Sequence, residues 1–83
     1  MLDFTSYEDL PESARDTLSR YVDYNIQPGG CMTAILSNDL FEAVGRADAD
    51  YLAALPRIVQ FIYNRCPSSC HGSREKVNSW LNF

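Results

Sequence analysis

The chain has 83 residues, a net charge of −4 and a sequence pI near 4.6; it is 46% hydrophobic, 22% charged and 12% aromatic. That mixture excludes collagen-like, low-complexity and wholly disordered chains. By surface scaling, a folded domain of this size exposes roughly 5,000 Å² against about 14,000 Å² for the open chain, which supports one small core and leaves little room for a deep enclosed site.

Residues 1–10 read as a loosely docked N-terminal arm, with Leu2, Phe4 and Tyr7 available to cover core edges; residues 11–83 read as a single helical domain. Pro11 suits a helix start, where its missing N–H costs nothing, and Glu12 follows in the favourable first turn. Ala14, Leu18, Tyr21, Val22 and Ile26 then fall on one helical stripe, and Asn25-Ile26-Gln27-Pro28-Gly29-Gly30 ends it. A second helix starts between Pro28 and Cys31. Met32, Ile35, Leu36, Leu40, Ala43 and Val44 keep the 3.6 period, which predicts one helix through to a cap at Gly45. Ser37-Asn38-Asp39 is awkward inside it, because these side chains compete for backbone hydrogen bonds.

Asp48 is a good N-cap for a third segment, Asp48 to Arg65, in which Pro56 either kinks the helix or divides it. Its second half, with Ile58, Val59, Phe61, Ile62 and Tyr63, is apolar on more than one side. One small bundle does not cover such a helix, so the sequence predicts a homo-oligomer. Cys66 to Gly72 is a turn region, and Ser73 caps a last helix whose apolar face is Val77, Trp80 and Leu81. Trp80, with Phe83, is expected to close the core. No alternating β-branched run is present. The predicted class is all-α, a compact bundle of four or five short helices.

The charge is unevenly placed. Residues 1–42 carry two arginines against eight carboxylates, a net −6; residues 43–83 carry five cations against three carboxylates, a net +2. An acidic chain lacks the basic footprint of a general nucleic-acid binder. The amino terminus has neither the basic start nor the apolar run of an export signal, and no stretch is long enough to span a bilayer. Three cysteines do not make a closed disulfide framework. The chain therefore reads as cytoplasmic, without membrane association.

Pro28-Gly29-Gly30-Cys31-Met32-Thr33 places two glycines before a helix start. It reads first as a plain reversal; the alternative is an anion site, where bare backbone N–H groups meet a ligand. The Lys-Ser/Thr ending of a phosphate loop is missing. Thr33 and an arginine from Arg46, Arg57 and Arg65 are the natural further donors. Asn38 and Asp39, with Glu42, form a candidate partner-binding patch. Cys66, Cys70, His71 and Cys31 are the residue types of a zinc site, but the local spacing matches poorly and no metal is expected. A Cys31–His71 nucleophile requires the fold to join them, with the helix dipole lowering the Cys31 pKa. No catalytic set and no cofactor motif emerges.

From Pro11 onward, several stretches carry a resemblance. They are Pro28-Gly29-Gly30-x-x-Thr33-Ala34-x-Leu36-x-Asn38-Asp39-Leu40, Ala43-x-Gly45-Arg46-Ala47-Asp48, Leu55-Pro56-x-Ile58-Val59, Tyr63-Asn64 and Cys70-x-Gly72-Ser73-x-Glu75-Lys76-Val77-x-x-Trp80. In these the chain resembles small accessory proteins of bacteriophage and prophage genomes. The resemblance implies a viral protein acting by binding in a bacterial host cell, and it brings no activity or site residues with it. The leading expectation is a non-catalytic inhibitor of a host defence protein, working through an acidic helical surface. The alternative is an oligomeric sponge for a nucleotide-type anion, and the third is a small hydrolase acting on such a ligand.

Overall fold

Helix α1 (Glu12–Tyr24) begins one residue after Pro11, whose carbonyl receives the N–H groups of Ala14 and Arg15 in the computed structural model, which describes residues 1–81. Ala14, Leu18 and Tyr21 of the expected stripe are buried. Asn25 ends the helix in the left-handed conformation, tolerated by Asn, so Ile26 leaves the stripe and is exposed.

The expected second helix is two. Helix α2 (Gly30–Leu36) and helix α3 (Leu40–Arg46) are separated by Ser37-Asn38-Asp39. Asn38 has φ near 60°, which no helix accommodates, and Asp39 N–H turns back to the Ala34 carbonyl. Asp39 then caps α3 by accepting the Glu42 N–H. Its side chain supplies the bond that an unbroken helix would have drawn from the backbone. Gly45 is inside α3 and not its cap; Ala47 occupies that position.

Helix α4 (Ala49–Arg65) is capped by Asp48, which accepts from the Tyr51 N–H, and it runs unbroken through Pro56. A 3₁₀ turn (Ser68–Cys70) leads to helix α5 (Arg74–Trp80), capped by Ser73. Among the described residues these five α-helices make an all-α bundle, with no strand. Its surface is 5110 Å², in line with the sequence expectation, and its extents are 31 × 28 × 18 Å. No helix among the described residues is long and apolar enough to cross a membrane.

The core gathers Leu18, Tyr21, Met32, Leu36, Ile58, Phe61, Cys70 and Val77, all fully enclosed. Two long-range bonds tie it. The Tyr21 hydroxyl donates to the Cys70 carbonyl at 2.7 Å, and the Trp80 indole N–H donates to the Tyr21 carbonyl at 3.0 Å. Trp80 thus seals one end as expected, with the Asn25 side chain donating to its carbonyl. Phe83, its expected companion, lies outside the described residues.

The arm is not loosely docked. Tyr7 and Leu10 are core residues, and Phe4 stacks on Phe61 with ring centroids 4.5 Å apart. Elsewhere large apolar side chains stay uncovered. Phe41 is 90% exposed and Tyr63 79%, with Leu40, Val44, Leu52 and Val59 also open to solvent on α3 and α4.

Candidate functional site

The α2 start brings together four of the six residues expected at an anion site. Gly29, Gly30 and Arg46 line one hollow of about 260 Å³, beside Thr17, Asp48 and Tyr51. Gly30, Thr33 and Arg46 line a second of about 200 Å³, which Arg74 also borders. Arg46 lies so close over Gly30 that a Cβ there would stand 2.8 Å from its Nη1. Only glycine lets the guanidinium rest on the helix start. The position is not free for a ligand, however. Arg46 Nε donates to Glu42 Oε2 at 2.7 Å, Arg74 donates to Asp39 Oδ2 at 3.0 Å, and the Thr33 hydroxyl donates to the Pro28 carbonyl. Each cation at the hollow already faces a carboxylate.

Arg57 and Arg65 are elsewhere. Their spacing of eight residues puts them on one face of α4, turned to the arm and away from α2. Arg57 grips Asp9 through Nε and Nη2, at 3.2 and 2.9 Å, and reaches the Ser6 carbonyl at 2.6 Å. Arg65 donates to the Asp3 and Thr5 carbonyls at 3.0 and 2.9 Å. Both guanidiniums lie against the Tyr7 ring, 4.4 and 5.2 Å from its centroid. The bond from Arg57 holds the Asp9 carboxyl below its ordinary range. These two arginines are a clamp on residues 3–9, which is why the arm is ordered.

Asn38, Asp39 and Glu42 cluster at the α2–α3 break, as the sequence placed them. Two of them have internal work: Asp39 is both cap and Arg74 partner, and Glu42 holds Arg46. Asn38 supplies the reversal and is exposed.

The thiols divide into two places. Cys31 donates to the Ala43 carbonyl near Arg46 and Asp48, whereas Cys66 and Cys70 are buried close together as free thiols. Burial, then the Asp48 charge, pushes the Cys31 thiol up. Desolvation thus runs against the lowering expected from a helix dipole. Cys66 is raised by its bond to Cys70 and by burial. Burial lowers the His71 pKa, and its Nε2 and the buried Ser37 Oγ have no hydrogen-bond partner. Among the described residues, no three His, Cys, Asp or Glu side chains converge as a metal site.

The pairing of charges leaves a clear asymmetry. All six arginines have an acceptor within the chain: Arg15 on the Leu10 carbonyl, Arg20 on Asp16, and the four described above. Among the described residues, Asp3, Glu8, Glu12, Asp48, Asp50 and Glu75 have no cation within 4.0 Å. Glu12, Asp50 and Asp9 border one broad hollow between the α1 and α4 starts, about 530 Å³, with Arg57 as its cation. Glu8 adjoins it. Sequence reasoning saw the acidic half of the chain but not Asp50, which belongs to the basic half and arrives only by folding. Arg74 was missed for the same reason: its partner Asp39 is 35 residues away.

The chain matches no protein-family model, no curated protein and no solved structure.

Proposed function

We propose that this protein is a non-catalytic, phage-type accessory protein that inhibits a host protein by presenting an acidic surface to it. The surface is built from Glu8, Asp9, Glu12, Asp16 and Asp50, and the partner is a basic protein of the kind that holds nucleic acid. The observation that carries the reading is the spent state of the arginines. Every arginine is committed to a carboxylate or carbonyl of its own chain, while carboxylates remain unopposed around the α1 and α4 starts. Such a surface steers basic partners and repels phosphates.

The test compares capture from a bacterial lysate by the wild type and by a Glu8→Gln, Glu12→Gln, Asp50→Asn variant. A basic protein retained by the wild type, released by salt and lost from the variant supports the reading. Equal retention by both refutes it.

The sponge reading has one specific observation in its favour: Gly29, Gly30, Thr33 and Arg46 do meet, and Arg74 joins them. A ligand there must displace Glu42 and Asp39 from their arginines. It is tested by the melting temperature in micromolar nucleotides, which rises if the folded form binds them.

A further inference from the structure

We infer that the outer face of α3 and α4 is a homodimer interface, occupied by the same face of a second copy of this chain. Six large apolar side chains are open to water there: Leu40, Phe41, Val44, Leu52, Val59 and Tyr63. Leu40, Val59 and Tyr63 are joined by two grooves. Leu40 and Val59 border a common groove with Leu55, Ala43 and Ile35, and Val59 and Tyr63 border the next hollow along α4. Together the six leave on the order of 700 Å² of side-chain surface in water; ordinary monomers keep their largest apolar patch to about 300–600 Å², and a standard interface takes about 800 Å² from each partner.

Area alone does not choose the occupant; charge and spacing do. A two-fold interface sets a patch against itself, so a charge near the axis meets its own copy. The stripe of α4 carries none; Asp39, held by Arg74, and Lys76 stand at the edges of the two grooves. On α4 the exposed positions Ala49, Leu52, Pro56, Val59, Gln60 and Tyr63 are all uncharged, and Asp50 and Arg57 sit on another side of the helix, with the arm and α1. On α3, Glu42 and Arg46 pair with each other away from Phe41 and Val44. The α4 stripe itself offers a charged partner no counter-ion, and a second copy meets it with the same uncharged surface. The spacing agrees. Leu52, Pro56, Val59 and Tyr63 follow one another at four, three and four residues, the seam along which two helices pair. Phe41, standing out from α3, provides the aromatic anchor that buried interface centres favour. The acidic surface is separate, so failure of the dimer leaves the proposed function standing, and loss of partner capture leaves the dimer standing.

The experiment is multi-angle light scattering and sedimentation equilibrium on the full chain from a few to a few hundred micromolar. The expected mass is twice the 9.4 kDa of the chain, with a melting temperature that rises with concentration. Phe41→Glu and Val59→Glu put charges on the two-fold face and are each expected to give a 9.4 kDa monomer with unchanged helical circular dichroism. Phe41→Ser and Tyr63→Ser, which delete apolar surface without adding charge, are expected to weaken the dimer at least tenfold and guard against misfolding of the glutamate variants. A wild type that stays at 9.4 kDa throughout overturns the inference. A dimer that survives all four substitutions places the interface elsewhere and overturns it too.

Discussion

Replacing Tyr21 by Phe removes one oxygen atom from the centre of the protein and leaves the ring in place. The Tyr21 hydroxyl is the sole described donor to the Cys70 carbonyl, at 2.7 Å across 49 residues, in a site closed to solvent. Phenylalanine keeps the contact with Trp80, whose centroid lies 6.5 Å from that of Tyr21, and the Trp80 bond to the backbone carbonyl is untouched. The substitution therefore isolates one buried acceptor. Leaving such a carbonyl without a partner costs about 1–3 kcal/mol. In a domain of this size each kcal/mol moves the melting temperature by about 4–8 °C, so a fall of roughly 4–24 °C is expected. The urea slope should not change, because the same surface is exposed on unfolding.

The pH profile gives a second readout. Burial, reinforced by the Cys70 and Cys66 thiols, raises the Tyr21 phenol well above its ordinary 10.0. The folded protein therefore favours the protonated phenol. Its contribution is complete below pH 10 and is lost as the pH rises above that value, because the unfolded chain ionises first. The wild type should lose stability on this limb, and Tyr21→Phe should lose less. A variant that melts within 1 °C of the wild type at neutral pH, with the same alkaline limb, would refute the claim that this bond ties α1 to the Cys66–Gly72 turn.

Gly72→Ala should destabilise by about 1–3 kcal/mol: Gly72 has φ near 115°, where side-chain-bearing residues are strained, although a Cβ would meet only the Lys76 side chain at 3.7 Å. Thermal melts check this, and an unchanged melt contradicts it. Arg57→Met with Arg65→Met should free the arm, seen as loss of amide protection at Tyr7 and Leu10 and new protease cleavage before Glu12, while the α2 and α5 amides keep theirs. Retained protection at Tyr7 would mean that Phe4 and Leu10 hold the arm alone. Burial lowers the His71 pKa below 6.5, with Lys76 acting the same way against a bond to Cys66. The unfolded chain then takes up the proton first, so this group's contribution is complete above pH 6.5 and declines as the pH falls below it. His71→Gln should flatten that limb in pH-dependent urea titrations, and an unaltered slope counts against it.

The parts legible in the sequence are those governed by neighbours along the chain. Ala14, Leu18 and Tyr21 mark the buried stripe of α1, and Asp48 and Ser73 cap the helices that follow them because a cap acts within three residues. The α2–α3 break hid behind an apolar pattern that keeps its phase from Met32 to Val44. The stronger local signal was Asn38-Asp39, a residue that tolerates the left-handed conformation followed by a cap. Pro56 removes one N–H from α4 yet does not divide it, because packing on both sides, through Ile58 and Tyr51, holds the helix together. Gly45 and Gly72 look alike in sequence, and only the packed turn decides that the second one needs a positive φ.

For the candidate site, local reasoning assembled Gly29, Gly30, Thr33 and Arg46, because Arg46 reaches back over a short helical pair. It misplaced Arg57 and Arg65, whose targets are carbonyls and carboxylates 48 to 62 residues away in the arm. A long-range ion pair leaves no periodic trace. The clamp accounts for both errors together: the arginines assigned to a ligand are the reason that an arm expected to be loose is packed.

The idea that folding spends the arginines and leaves carboxylates to meet a partner is tested most directly by charge-resolved capture. Tagged protein and its Glu8→Gln, Glu12→Gln, Asp50→Asn variant are incubated with lysate of a bacterial host, and bound proteins and bound small molecules are both identified by mass spectrometry along a salt gradient. A basic protein held by the wild type alone and eluting at moderate salt is the predicted result. A nucleotide retained equally by both, with no protein enriched, contradicts it and gives the arginines at the α2 start the role assigned here to the acidic face.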